Sequence, residues 1–151
     1  MENPELGKTN NNVLVRDFRK SDLNDLLDLF PMCFTKEFEI SGFDPDHVTD
    51  MVNRAFGRTG TLILGLLRLF EKEPAKFLVA EASGKIVGTT IINNRGKSSY
   101  ISSVMVHPDY RRKGIATRLM TNALNYVRRR KMARAVLHVD STNASAKSVY
   151  V

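Results

Sequence analysis

A chain of 151 residues fits one domain with a real core, and 42% hydrophobic with 26% charged residues is a globular composition. The longest apolar run, Leu62 to Phe70, is broken by Gly65 and Arg68 and is too short for a bilayer span. The net charge of +7 is concentrated: residues 111–134 carry nine basic and no acidic residues, and the rest carries 14 basic and 16 acidic, so the charge suits a compact polyanion.

Met1 to Asn12 reads as a polar, disordered tail without the apolar core of a secretory signal. A single domain is expected over residues 13–151. Val13 to Phe18 alternates and predicts a strand. Ser21 is the expected N-cap of the next helix, with Asp22 and Asp25 in its first turn. Leu23, Leu26, Leu27 and Phe30 give that helix an apolar face, and Pro31 should distort its end. Cys33 lies in the same apolar stretch. It reads as a buried structural thiol, because no basic residue adjoins it. One cysteine makes no internal disulfide, which favours a reducing, cytoplasmic setting. Glu37 to Phe43 reads as a loop. Asp44-Pro45 opens a second helix that Gly57 stops, and Leu62 to Phe70 predicts a short third one.

Lys76 to Ala82 and Lys85 to Asn93 predict strands joined by a hairpin at Ser83-Gly84. Asn94-Arg95-Gly96 leads into a third, Ser98 to Val106. That strand ends at His107-Pro108, and a basic loop follows: Asp109-Tyr110-Arg111-Arg112-Lys113-Gly114. Ile115, Leu119, Met120, Ala123, Leu124 and Val127 then recur at helical spacing, so a helix runs from about Gly114 to Lys131. A loop of this kind builds an anion site. The first amides of a helix have no acceptor within it, and the helix dipole adds partial positive charge. Gly114 lets the backbone approach a ligand, and Ala116 and Thr117 keep the helix mouth open. Ala135 to Val139 is the last strand. Asp140 to Asn143 turns into a final helix, with Asn143 as its N-cap and Ala146 and Tyr150 on one face.

Two segments of this chain resemble the GNAT superfamily of acyl-CoA-dependent N-acetyltransferases. Arg111-Arg112-Lys113-Gly114-Ile115-Ala116 fits the loop of its motif A, behind the usual strand end Val106-His107-Pro108. Asn143-Ala144-Ser145-Ala146-Lys147-Ser148-Val149-Tyr150 fits its motif B. The resemblance implies an α/β (α+β) fold: a mixed, mostly antiparallel sheet flanked by helices, with the strands ending at Val106 and Val139 parallel and splayed. It covers nearly all of the chain. The family's two further strands after the motif B tyrosine are missing, so the domain reads as C-terminally truncated. The sheet edge at Ala135 to Val139 is then expected to be covered by another copy in a homo-oligomer, or the segment beyond Ser141 to be mobile.

The resemblance also implies the chemistry. Acetyl-CoA is the cosubstrate and a primary amine, on a small molecule or a protein, is the acceptor. The pyrophosphate is expected on the amides of Arg112 to Thr117, with Arg111, Lys113, Ile115 and Asn143 also in the cofactor site. The acetyl carbonyl is expected near the Met105 and Val106 backbone. A neutral amine attacks the thioester directly, and Tyr150 protonates the departing thiolate. Its ordinary pKa of ~10 keeps it protonated at neutral pH. The general base is not identified: Ser98 to Ser103 contains no carboxylate, and the alternatives are a water held by Ser102, Ser103 or backbone carbonyls, an amine that arrives already neutral, and Glu81 on a neighbouring strand, which reads rather as a solvent-facing hairpin residue. His107 reads as a structural turn residue. His47 and His138 lack metal-ligand spacing, so no metal is assigned.

Two other readings compete: a catalytically degenerate acyl-CoA-binding or regulatory module, and nucleic-acid binding through the basic helix. The second lacks aromatic interleaving and a recognised motif, so no nucleic-acid partner is expected. Arg128 to Lys131 also has a plain explanation as cations complementing a helix C-terminus.

Overall fold

The computed structural model describes residues 12–41, 75–139 and 143–150. Most of the N-terminal tail, the helices expected from Asp44 to Gly57 and from Leu62 to Phe70, and the turn at 140–142 lie outside the described residues. The fold is mixed α+β. Strands β1 (Val13–Asp17), β2 (Lys76–Ala82), β3 (Lys85–Arg95), β4 (Ser98–Val106) and β5 (Arg134–Leu137) form one sheet in that order. Neighbours from β1 to β4 are antiparallel, and β4–β5 is parallel. Helices α1 (Leu23–Ser41), α2 (Ile115–Arg129) and α3 (Ala144–Tyr150) complete the described chain.

The two long helices bury different faces of the sheet. Ile115, Leu119, Met120, Ala123 and Val127 on α2 pack with Leu78, Ala80, Val87, Ile92 and Ile101, which come from three strands. Leu29 on α1 packs with Val79 and Ile86, and Leu26 and Cys33 flank it. Gly88 lies where α2 crosses the sheet. A Cβ there would stand 2.9 Å from the Met105 carbonyl oxygen, 3.1 Å from Leu119 and 3.3 Å from Ile115. Backbone and helix would both have to move. Gly88→Ala is therefore expected to destabilise the protein by about 1–3 kcal/mol through overpacking. A thermal melt measures this, and an unchanged melting temperature would contradict it.

Several element ends differ from expectation. Ser21 does not cap α1. A short 3-10 turn, Lys20–Asp22, leads into the helix, and the Asp22 carboxylate accepts from the Arg19 amide at 2.7 Å. The helix also continues through Pro31 to Ser41 instead of yielding a loop from Glu37. Proline removes one backbone donor, but sheet contacts by Leu29 before it and Cys33 after it hold the helical path. Strand β3 runs on to Arg95, so the turn is Gly96-Lys97, and β5 is shifted to Arg134–Leu137. Ser83-Gly84 forms the expected tight hairpin, with φ of 50° and 77° at its two residues.

Asp22 anchors an ionic cluster between β1, β2 and the start of α1. Arg16 donates to both Asp22 oxygens at 2.7 and 2.9 Å, and to Glu81 Oε2 at 2.7 Å. Asp22 is only 6% exposed. The hydrogen bond from Arg16 holds its carboxyl below the usual carboxylate value, with the Arg19 amide adding to this against the cost of burial. A depressed folded pKa means the stabilisation is present above the unfolded carboxylate value and is lost as pH falls through the folded one. Asp22→Ala is expected to cost about 3 kcal/mol, because it leaves a half-compensated buried guanidinium. It should also flatten the acid limb of stability against pH. Denaturant melts from pH 3 to 7 check both, and an acid limb identical to wild type would refute the assignment.

Candidate active site

Strand β4 is bulged where the site begins. Thr89 pairs with Met105 and Ile91 with Ser102, so Thr90 alone faces Ser103 and Val104. Ser103 has a φ of 51°. Thr90, fully buried, donates its hydroxyl to the Ser102 carbonyl at 3.2 Å and so supports the bulge from the neighbouring strand. On the other side, β4 pairs with β5 only from Ser98↔Arg134 to Ile101↔Leu137. The parallel β4–β5 pairing is the one that the resemblance implied. Beyond Ile101 this pairing ends where β5 ends, and among the described residues β4 continues unpaired along that edge to Val106. It gives an extended ligand a strand edge on which to add main-chain hydrogen bonds.

The loop after β4 is tightly folded. Pro108–Tyr110 makes a 3-10 turn capped by His107, whose Nδ1 accepts from the Asp109 amide at 3.2 Å. The His107 and Tyr110 rings meet edge to face, and the Lys113 ammonium lies 5.0 Å from the centre of the Tyr110 ring. His107 is thus structural, as expected. Arg112 (φ 61°) and Gly114 (φ 74°) both adopt left-handed backbone. A Cβ at Gly114 meets nothing within 4 Å, so glycine is required there for conformation and not for lack of room.

Gly114 is the N-cap of α2, and no side chain caps the helix there. The helix hydrogen bonds begin with Arg118 N–H donating to Gly114 O at 3.0 Å. The amides of Ile115, Ala116 and Thr117 therefore have no acceptor within the helix. Arg111, Arg112 and Lys113 are exposed around them. Arg111 Nε donates to the Val106 carbonyl at 3.1 Å, which ties the loop to the end of β4. Uncapped amides, the positive end of a helix dipole and three cations make a donor set that fits a pyrophosphate. Met105, Val106 and residues 111–117 are thus continuous along one strand end, one loop and one helix start.

The final helix is placed as expected at its start. Asn143 accepts from the Ala146 amide through its side-chain oxygen at 2.9 Å, so its amide group serves α3 as an N-cap. Tyr150 packs on the core cluster that includes Ile101, Ile115 and Leu119. Burial pushes its phenol above the ordinary value, so the proton is held more firmly.

Two contacts were not foreseen. The Cys33 thiol donates to the Val106 carbonyl at 3.5 Å, bringing α1 to the site's edge. Nothing around Cys33 in the sequence signals a contact 73 residues away. Glu81, the carboxylate considered as a base, is held in an ion pair with Arg16 at 2.6 Å. No sequence signal identifies Thr90 either, because its role depends on the register of two strands.

A family model described as the acetyltransferase (GNAT) family matches residues 23–151. An acetyltransferase of Photorhabdus laumondii is 27% identical over 132 residues, 85% of this chain and 76% of that protein. The fold is similar to the PaiA N-acetyltransferase of Thermoplasma acidophilum, solved in complex with coenzyme A. The TM-score is 0.72 at 16% identity, over 91% of this chain and 86% of that one. It is also similar to the ribosomal-protein-S18-alanine N-acetyltransferase of Escherichia coli, with a TM-score of 0.63 at 17% identity, over 91% and 74% of the two chains. At these identities the structural likenesses establish the fold.

Proposed function

The chain belongs to the acetyltransferase (GNAT) family, and from that premise we propose that it transfers an acetyl group from acetyl-CoA to a primary amine. The observation that carries this reading is the continuity of an unpaired β4 edge with the uncapped start of α2. In this reading the β4 edge at Met105 and Val106 receives the pantetheine arm, and a backbone amide there polarises the acetyl carbonyl. The amides from Arg112 to Thr117, with Arg111 and Lys113 beside them, hold the pyrophosphate. Acetyl-CoA supplies an activated thioester, so the protein's task is to orient it, exclude water and manage protons. Asn143 contributes by fixing the start of α3, and Tyr150 at its end gives its proton to the thiolate. Ser102 and Ser103 hold a water that takes the amine proton.

The engagement of Glu81 by Arg16 favours a second reading, a module that binds acyl-CoA without turnover. Thiol release from acetyl-CoA, measured with a panel of protein N-terminal peptides, lysine peptides, polyamines and small amines, separates the two. Turnover with any class supports the transferase. Tight acetyl-CoA binding with no turnover on any of them selects the binding module.

The supporting role of Thr90 has its own test. Thr90→Val keeps the shape and removes the hydroxyl that holds the bulge, and is expected to lower kcat/KM for acetyl-CoA about tenfold. Thr90→Ser should restore most of it, and a fully active valine variant would contradict the role.

A further inference from the structure

The fold divides the basic run that looks continuous in sequence. Arg111, Arg112 and Lys113 lie at the Val106 end of β4. Arg128 and Arg129 end α2, Lys131 follows it, and Arg134 opens β5, beside the Ser98 end of β4. Those two ends are roughly 25 Å apart, at ~3.3 Å per strand residue. The far end also gathers cations from a distant segment. Arg95 pairs with Ser98, which pairs with Arg134, so the two arginines stand two strand spacings apart, about 10 Å. The Lys97 carbonyl accepts from the amides of Ala133 and Arg134 at 2.9 and 3.3 Å, locking the β3–β4 turn to the α2–β5 connection.

Arg130 apart, six exposed cations thus share one pole: Arg95, Lys97, Arg128, Arg129, Lys131 and Arg134. Among the described residues, no ion pair involves any of these six. The dipole of α2 accounts for cations on its last turn. It does not account for Arg95, Lys97 and Arg134, which belong to strands and a turn. The pole also has an aromatic neighbour: Tyr100 is 38% exposed, and the Arg95 guanidinium lies 6.0 Å from its ring centre.

We propose that this pole docks the phosphate backbone of a single-stranded nucleic acid, with Tyr100 offering a face on which a base stacks. Four of the six cations are arginines, whose planar fork matches phosphate oxygens. A protein partner would need an apolar centre to the patch, and a membrane surface would need apolar side chains to insert. The other exposed large hydrophobic residues among those described, Leu14 and Met32, lie on β1 and α1. A phosphate backbone needs neither feature, and stacking is tolerant of base identity. The competing nucleic-acid reading of the basic helix lacked an aromatic neighbour and any cation outside the helix, because Arg95, Lys97 and Tyr100 join this end of the sheet only through strand register.

The test is fluorescence anisotropy of a labelled 20-nucleotide oligouridine with the full chain, titrated at several salt concentrations. Neutralising six phosphates predicts a log–log salt slope near −4, so affinity should fall by roughly two orders of magnitude or more between 50 and 200 mM salt. Arg129→Glu combined with Arg134→Glu should weaken binding at least about tenfold and make the slope shallower. Tyr100→Ala should weaken it severalfold with the slope unchanged. Arg112→Glu, at the other end of β4, should change it less than about twofold, and circular dichroism checks that each variant folds. Absence of binding at 50 mM salt would overturn the proposal, as would equal loss in Arg112→Glu. So would retention of anionic lipid vesicles by wild type, and not by the pole variant, without RNA binding.

Discussion

Gly114→Glu is expected to weaken acetyl-CoA binding by about two to three orders of magnitude, since like charge against a bound anion costs several kcal/mol. Two effects combine. Gly114 has a φ of 74°, and an L residue there carries a strain of roughly 1–2 kcal/mol. The new carboxylate also stands at the uncapped start of α2, among the amides and cations assigned to the pyrophosphate. Open space around a Cβ at this position means the substitution does not disturb the core, so the protein should remain folded. Gly114→Asn separates the two effects, because asparagine tolerates left-handed backbone and brings no charge. Calorimetry should find its affinity within severalfold of wild type. Unchanged affinity in a folded Gly114→Glu protein would remove the pyrophosphate from this loop.

Tyr150→Phe should lower kcat by about 10²–10⁴-fold, the usual contribution of a general acid, and leave acetyl-CoA affinity nearly unchanged. The ring and its packing against the core are kept, and only the hydroxyl is lost. Burial raises the phenol's pKa, so in the wild type the proton is present throughout the neutral range and any alkaline loss of activity due to this group falls above its ordinary value of 10.0. Single-turnover and steady-state kinetics of the two proteins distinguish a proton donor from a packing residue. Wild-type kcat in the phenylalanine variant would make Tyr150 a packing residue.

The parts of the site readable from the sequence are those built from neighbouring residues. Alternation up to Val106, the stop at Pro108, the loop and the spacing of Ile115, Leu119 and Ala123 define β4, the turn and α2 without reference to the rest of the fold. Asn143 and Ser83-Gly84 are equally local, because a cap and a tight turn depend on three or four residues. What escaped depends on partners far along the chain. The bulge at Ser103 has no glycine or proline to mark it, and its support comes from Thr90. Arg16 and Glu81 are 65 residues apart, so nothing local shows that this carboxylate is already engaged. The continuation of α1 past Pro31 goes against local propensity, which tertiary packing overrides on both sides of the proline. The basic pole is the same case for charge, since its strand members join the helix end only through the register Arg95–Ser98–Arg134.

Amide hydrogen exchange with and without acetyl-CoA tests the central claim most directly. The amides of Arg112 to Thr117 have no helical acceptor of their own at the start of α2, so a pyrophosphate seated there should slow their exchange, together with those of Val104 to Val106 on the unpaired edge of β4. The account predicts a footprint on these two adjoining segments. Saturating acetyl-CoA that leaves both segments unchanged, or protects a different part of the chain, would contradict it.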